Sequence, residues 1–289
     1  MKKLTVIGHC QTYEFGIDNI KWCYFRNLKY KHDFMESLRS INLKSSLSDY
    51  AVENDKQRNV LLENINLSVK NTLFYEVTPR TDLEDSKKLR VNTIFYEYLV
   101  EALEQPAFQE IIQTIQVLLE ELTTELDEAL NFDESENMIS LETNFSELGG
   151  KTLVKMLELG FLKNECTMST GDATYIELVS LKINMIIKIA RQKPLKNIIV
   201  LLNLDDRMNV QVSKNMPPNL YLIATYKPKT VTNVKDVYLE QRDFFDLADE
   251  TDVYHRITLY LPKTMTLDET YSYLSNFLNR PVNEINLIP

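Results

Sequence analysis

The pentapeptide Ile198-Ile199-Val200-Leu201-Leu202 constrains this chain more than any other feature. Five apolar residues in a row, three of them β-branched, form a run too short for a helix and without the alternation that leaves one face in water. Such a strand is buried on both faces, the state of a central strand in a parallel sheet covered by helices. Leu220-Tyr221-Leu222-Ile223-Ala224 repeats the pattern, and Leu73-Phe74-Tyr75-Glu76-Val77 stops before Pro79 as another strand. The chain is read as α/β. Further strands are expected at Leu4-Thr5-Val6-Ile7-Gly8, Met138-Ile139-Ser140-Leu141, Val237-Tyr238-Leu239 and Ile257-Thr258-Leu259.

Helical spacing marks the rest. A helix is expected from about Asn19, on the apolar residues Ile20, Trp22, Cys23, Phe25 and Leu28, and residues 40–72 read as loop and short helix. Two long helices follow. One covers about Asp82 to Glu104, and Pro106, suited to a first helical turn, opens the other, whose apolar face includes Phe108, Ile112, Ile115, Leu119, Leu122 and Leu126. Together they read as an inserted helical hairpin. Shorter helices are expected from Lys151 to Leu159, ending before Gly160, from Asp172 to Arg191, apolar on most sides and hence buried, and from Leu267 to Leu278.

Glycine is scarce. Six residues in 289 are about 2%, against a usual share of about 7%. Enzymes cradle phosphate in glycine-rich turns because backbone amides must approach the anion closely. After Val6-Ile7-Gly8 the chain reads His9-Cys10-Gln11-Thr12-Tyr13-Glu14-Phe15-Gly16, with neither the Lys nor the Ser/Thr placed to hold phosphate and magnesium. Gly149-Gly150-Lys151-Thr152 looks like the end of a phosphate loop, but Phe145 stands where the motif needs glycine. It reads as a loop entering a helix. Asn203-Leu204-Asp205-Asp206, after the central strand, is a weak likeness of a magnesium-holding strand end. His9, His32 and His255 are scattered, and no nucleophile elbow occurs. No catalytic residue is assigned, and the chain is read as a binding protein rather than an enzyme.

Charge is segregated. The net charge is -10, yet no Lys or Arg occurs from Val91 to Gly150, where fourteen acids lie between Glu97 and Glu147. Most belong to a solvated helix face, while the denser group around Asp127 to Glu136 suits a hard cation such as Ca²⁺. Bases gather at Lys21, Arg26, Lys29 and Lys31, at Lys87, Lys88 and Arg90, and at Lys182, Lys188, Arg191, Lys193 and Lys196. Nucleic-acid binding is compatible with this pattern, because the local field at a patch matters more than the total. Three cysteines without metal or redox spacing suit a reducing cytosol. No apolar run is as long as a membrane span, and Met1-Lys2-Lys3-Leu4 reads as the start of a short strand rather than a signal peptide.

The order of parts resembles the Csn-two family, accessory proteins of spacer acquisition in type II-A CRISPR systems. It lies in Val6-Ile7-Gly8 before a lysine-less turn and a Trp-containing helix, then a helical insertion, Ile139-Ser140-Leu141-Glu142, Leu157-Glu158-Leu159-Gly160-Phe161, Lys196 to Leu204, and Pro218 to Ala224. The resemblance implies an α/β head with a degenerate P-loop-type core and mostly parallel sheet, into which a helical leg is inserted. The head takes residues 1–80 and 137–289, the leg 81–136. It implies a ring-shaped homotetramer that binds double-stranded DNA ends through a basic lumen, without ATPase machinery. It also implies Ca²⁺, placed at Asp133, Glu136, Glu142 and Glu147. The partners it implies are the CRISPR integrase proteins and the RNA-guided effector nuclease, in the cytoplasm, for antiviral defence. DNA contacts are expected from Lys182, Lys188, Arg191, Lys193 and Lys196, with Lys87, Lys88 and Arg90. Two other readings stay open: a P-loop-type NTPase with an atypical phosphate loop, and a protein-interaction scaffold without DNA affinity.

Overall fold

The computed structural model of the chain describes residues 1–42, 58–78, 93–130, 149–157, 161–163, 166–168, 175–204, 215–226, 231, 233–240, 244–256 and 265–279. The chain divides into two units, Met1–Pro79 with Tyr175–Pro289, and Arg80–Thr174. Residues 137–174, expected in the head, therefore fall in the inserted unit.

The larger unit is mixed α/β with two sheets. Strands β1 (Lys2–Ile7), β2 (Thr12–Ile17), β4 (Asn59–Leu62) and β5 (Ile65–Asn66) form an antiparallel sheet in the order β2-β1-β4-β5. The second sheet has the order β12-β11-β3-β10-β9-β6. Its strands are β3 (Ile20–Tyr24), β6 (Thr72–Val77), β9 (Asn197–Leu202), β10 (Leu220–Ala224), β11 (Val237–Glu240) and β12 (Phe244–Asp246). All are parallel except β12, which pairs antiparallel with β11 at the edge. Ile198 to Leu202 and all five residues of β10 are buried, as their unbroken apolar runs require.

Three expectations are corrected. The helix expected from Asn19 is strand β3, and helix α1 starts only at Leu28, behind the cap Asn27, running to Arg39. Trp22 is thus a strand residue. The apolar residues satisfy helical spacing by coincidence, because Lys21, which breaks the strand pattern, is an interior residue 1% exposed. Also, β1 is not the first parallel strand. It lies in the antiparallel sheet, and β3 takes the place that sequence reading gave it. Residues 59–66, expected as irregular, hold β4 and β5.

The two sheets share one core. Leu4, Val6, Tyr13, Phe15 and Ile17 of the antiparallel sheet meet Phe34 and Leu38 of α1 and Ile199, Leu201, Tyr221 and Ile223 of the parallel sheet. Each such side chain contributes roughly 1.5–3 kcal/mol relative to exposure. On the other side, Val237 and Leu239 pack with Val253 of α6 (Glu250–Arg256) and Leu274 and Leu278 of α7 (Leu267–Leu278). Thr266 and Glu269 close a reciprocal capping box on α7.

In the inserted unit, α2 (Ile94–Leu103) starts behind Thr93, whose hydroxyl accepts from the Tyr96 amide. The expected start near Asp82 lies outside the described residues. Helix α3 (Pro106–Leu130) begins at Pro106 as expected. Gly150 opens α4 (Gly150–Met156), and a Cβ there would press on Leu103 of α2. Gly149-Gly150-Lys151-Thr152 is a helix entry. A small hairpin, β7 (Phe161–Lys163) with β8 (Cys166–Met168), completes the unit. The strands expected at 138–141 and 257–259 lie outside the described residues. Helix α5 (Tyr175–Gln192) belongs to the larger unit. No described helix is long and apolar enough to cross a membrane.

Candidate functional site at the two ends of the parallel sheet

In open α/β sheets, ligands bind outside the carboxyl ends of the strands. The connection Phe25-Arg26-Asn27 leaves the carboxyl end of β3 and enters α1. It has no glycine, and its amides are occupied. The carboxylate of Glu240, at the end of β11 and 7% exposed, accepts from the amide of Arg26 at 2.9 Å and from that of Asn27 at 3.0 Å. A helix N-terminus attracts an anion through its unpaired amides and its dipole. This one is served by an internal carboxylate.

The turn after β1 is served in the same way. Asp33 of α1 accepts from the amides of His9 (2.9 Å) and Cys10 (3.1 Å) and from the Tyr13 hydroxyl (3.1 Å). A Cβ on Gly8 would collide with this carboxylate, which is why glycine stands there. Burial, with the Asp33 charge next in weight, pushes the Tyr13 phenol well above its ordinary pKa. Arg39, at the end of α1, is also committed. Arg39 donates from Nε and Nη2 to the two oxygens of Glu76 at 2.8 and 2.6 Å, and Asn203 Nδ2 lies 3.3 Å from the same group. Asp205 and Asp206 lie outside the described residues.

The amino ends of the strands differ. Helix α5 buries the stripe Val179, Lys182, Ile183, Ile186 and Ala190. Lys182 is therefore a core residue, 3% exposed, and its ammonium cannot reach a phosphate at the surface. This corrects its expected role in DNA binding. Lys188 and Arg191 are exposed on the other side of α5, and Lys193 and Lys196, half-buried, follow in the turn to β9. That turn is held by Asn219, whose Nδ2 lies 2.9–3.1 Å from the carbonyls of Ala190, Lys193 and Lys196. Next door, the amide of Asn197 donates to Asn71 O at 3.1 Å, which brings the exposed Lys70 to the same rim. Sequence reading missed Lys70, a single lysine in a polar turn with no motif around it. The register of β6 with β9 is what places it.

Beside the rim is a cavity of about 540 Å³ lined by Ala190, Arg191, Pro194, Asn215, Met216, Pro217, Pro218 and Asn219. Arg191 Nη2 donates to Asn215 O at its edge, at 3.2 Å. Lys87, Lys88 and Arg90 lie outside the described residues, as do Asp133, Glu136, Glu142 and Glu147. Among the described residues, no group of three or more His, Cys, Asp or Glu side chains is placed to hold a metal ion.

No protein-family model matches the chain, and no curated protein matches it. Among solved structures it is similar to Stu0660 of Streptococcus thermophilus, with a TM-score of 0.70 and 16% identity, over 96% of this chain and 86% of that one. At that identity the likeness is one of fold.

Proposed function

We propose that this chain is a non-enzymatic, ring-forming protein that binds double-stranded DNA ends in CRISPR spacer acquisition. The observation that carries the reading is the contrast between the two ends of one parallel sheet. At the carboxyl ends, where a P-loop-type core would hold a nucleotide, Glu240 occupies the amides of Arg26 and Asn27 and Glu76 occupies Arg39. At the amino ends, Lys70, Lys188, Arg191, Lys193 and Lys196 form a basic rim on a chain of net charge -10. The scaffold is thus proposed to be a degenerate P-loop-type head whose ligand surface has moved to the opposite edge.

Phosphate contacts position DNA without reading its sequence, which suits a protein that takes any free end. Self-assembly is supported by α3, whose Ile111, Leu118, Leu122 and Leu126 are 48–58% exposed. A row of large apolar side chains at helical spacing is covered in most proteins, and a homotetramer would cover it. Ca²⁺ would relieve the repulsion between acidic blocks brought together in that assembly, with Asp133, Glu136, Glu142 and Glu147 as the proposed ligands. The integrase proteins and the effector nuclease are the proposed partners, in the cytoplasm.

The test compares a linear duplex with a covalently closed circle of the same sequence, in Ca²⁺ and low salt. Threading predicts binding to the linear form alone. Equal affinity for both removes the ring-threading reading, and no affinity for either leaves the interaction scaffold, for which the exposed face of α3 is the supporting observation.

A further inference from the structure

We infer that the cavity beside Arg191 seats the unpaired terminal nucleotide of a DNA end. The inference rests on the DNA-binding reading above and adds a ligand to its surface. At about 540 Å³, the cavity falls within the range of small-molecule sites. Its wall is unusual in chemistry. Pro194, Pro217 and Pro218 have no backbone N–H to donate, and with Ala190 and Met216 they make the lining largely apolar. Nothing in that wall is built for a charged group. The charge stands at the edge, where the Arg191 guanidinium is held in place by its bond to Asn215 O. That bond uses one N–H of five, and the planar fork suits a phosphate or stacks on a base.

The surroundings are fixed before any ligand arrives. Pro217 O accepts from Asn19 Nδ2 and from the Leu220 amide, both at 3.1 Å, and Asn219 holds the turn that carries Lys193 and Lys196. Preorganisation of this kind lowers the cost of binding. A ligand with a flat apolar face joined to a chain of phosphates matches an apolar slot beside Arg191, Lys193 and Lys196. A nucleotide has that form. One that is paired must first leave the stack, whereas an overhanging one pays the least to turn its base inward. The cavity therefore favours frayed or overhanging ends over blunt ones.

The experiment measures fluorescence anisotropy of the full-length protein with two duplexes of equal length, one blunt and one with a two-nucleotide overhang. A second measurement places 2-aminopurine at the end of the overhang. The wild type is expected to bind the overhang about tenfold more tightly, as one stacked base implies, and to brighten the probe as it leaves the duplex stack. Met216→Ser, which removes part of the apolar wall, is expected to abolish both effects while the blunt duplex binds as before. Equal wild-type affinity for the two duplexes, with an unchanged probe signal, would overturn the inference and leave the DNA reading intact. Failure to bind either duplex would overturn both. If Met216→Ser alters sedimentation of the free protein and leaves the overhang preference untouched, the cavity is a contact between copies and the inference is wrong.

Discussion

Lys21 and Asp246, 225 residues apart, meet in an interior ion pair in which the lysine side chain is 1% exposed and the aspartate 11%. The pair ties β3 to β12, and Asp246 also accepts from the amide of Gly16 at 2.6 Å, which joins the second sheet to the first. Lys21 donates further to Lys235 O at 2.9 Å. Removing one partner leaves a buried charge without compensation. Asp246→Ala is expected to destabilise the larger unit by about 3–5 kcal/mol, read by chemical denaturation. The double variant Lys21→Met with Asp246→Ala is expected to recover part of this, because the stranded charge is gone while the amides of Gly16 and Ala248 still lack their acceptor. A double variant no better than Asp246→Ala would show that the charge itself is not the cost.

Glu240 gives the second prediction. If its carboxylate stands where a nucleotide phosphate would, the wild type neither binds nor hydrolyses ATP with magnesium present. Titration calorimetry checks this, and micromolar binding abolished by Lys151→Ala would contradict it. Glu240→Ala removes the acceptor of the part-buried Arg26 and Asn27 amides and is expected to cost about 1–3 kcal/mol of stability. Inorganic phosphate is expected to restore thermal stability to this variant more than to the wild type.

What could be read in the sequence follows from how local each cause is. The strands at Thr72–Val77, Asn197–Leu202 and Leu220–Ala224 declare themselves, because burial on both faces leaves an apolar run. So do α3, opened by Pro106, and α7, expected from Leu267 to Leu278. Strand β3 was hidden because the partner that makes Lys21 an interior residue lies at position 246. Lys182 misled for the opposite reason. A lysine in a nearly all-apolar helix suggests a basic contact, whereas the apolar stripe around it marks the inner face. Glu240 carries no local signal, since the amides it serves belong to residues 213 and 214 positions earlier.

Asp236 supplies a pH prediction. Burial is the main cause raising its pKa, opposed by the charge of Lys21 and a hydrogen bond from Asn233, and reinforced by Asp18. The folded state therefore holds this proton more tightly than the unfolded chain. Stability contributed by the group is present below the unfolded carboxylate pKa and is lost as pH rises through the raised folded value. Relative to wild type, Asp236→Asn is expected to gain stability as pH increases from about 4 toward neutrality. Parallel stability curves for the two proteins across that window would refute the assignment.

The exposed face of α3 and the acidic block make assembly sensitive to both apolar contact and Ca²⁺. Leu118→Asp with Leu122→Asp is expected to shift sedimentation toward smaller species while secondary structure is kept, since both side chains are more than half exposed in the single chain. Ca²⁺ is expected to raise the melting temperature of the wild type by mass action on the folded assembly. Identical melting curves and sedimentation profiles in Ca²⁺ and in chelator would remove calcium from the reading.

The basic rim and the buried Lys182 make the last prediction a comparison within one helix and its flanking turns. Each phosphate neutralised by a lysine contributes about -0.9 to the slope of log affinity against log salt. Lys193→Gln, Lys196→Gln and Lys70→Gln are each expected to weaken DNA binding equally across sequences and to flatten that slope by about one, with little change in stability, because none of the three is a core residue. Lys182→Gln is expected to behave in the reverse manner. At 3% exposure its side chain belongs to the inner stripe of α5 with Val179, Ile183 and Ile186, so its loss is felt in folding, and the salt slope of the folded fraction stays that of the wild type. Salt-dependent anisotropy and denaturant melts on the four variants separate the two classes. A flattened slope in Lys182→Gln, with unchanged slopes in the other three, would move the DNA surface away from the amino ends of β6 and β9.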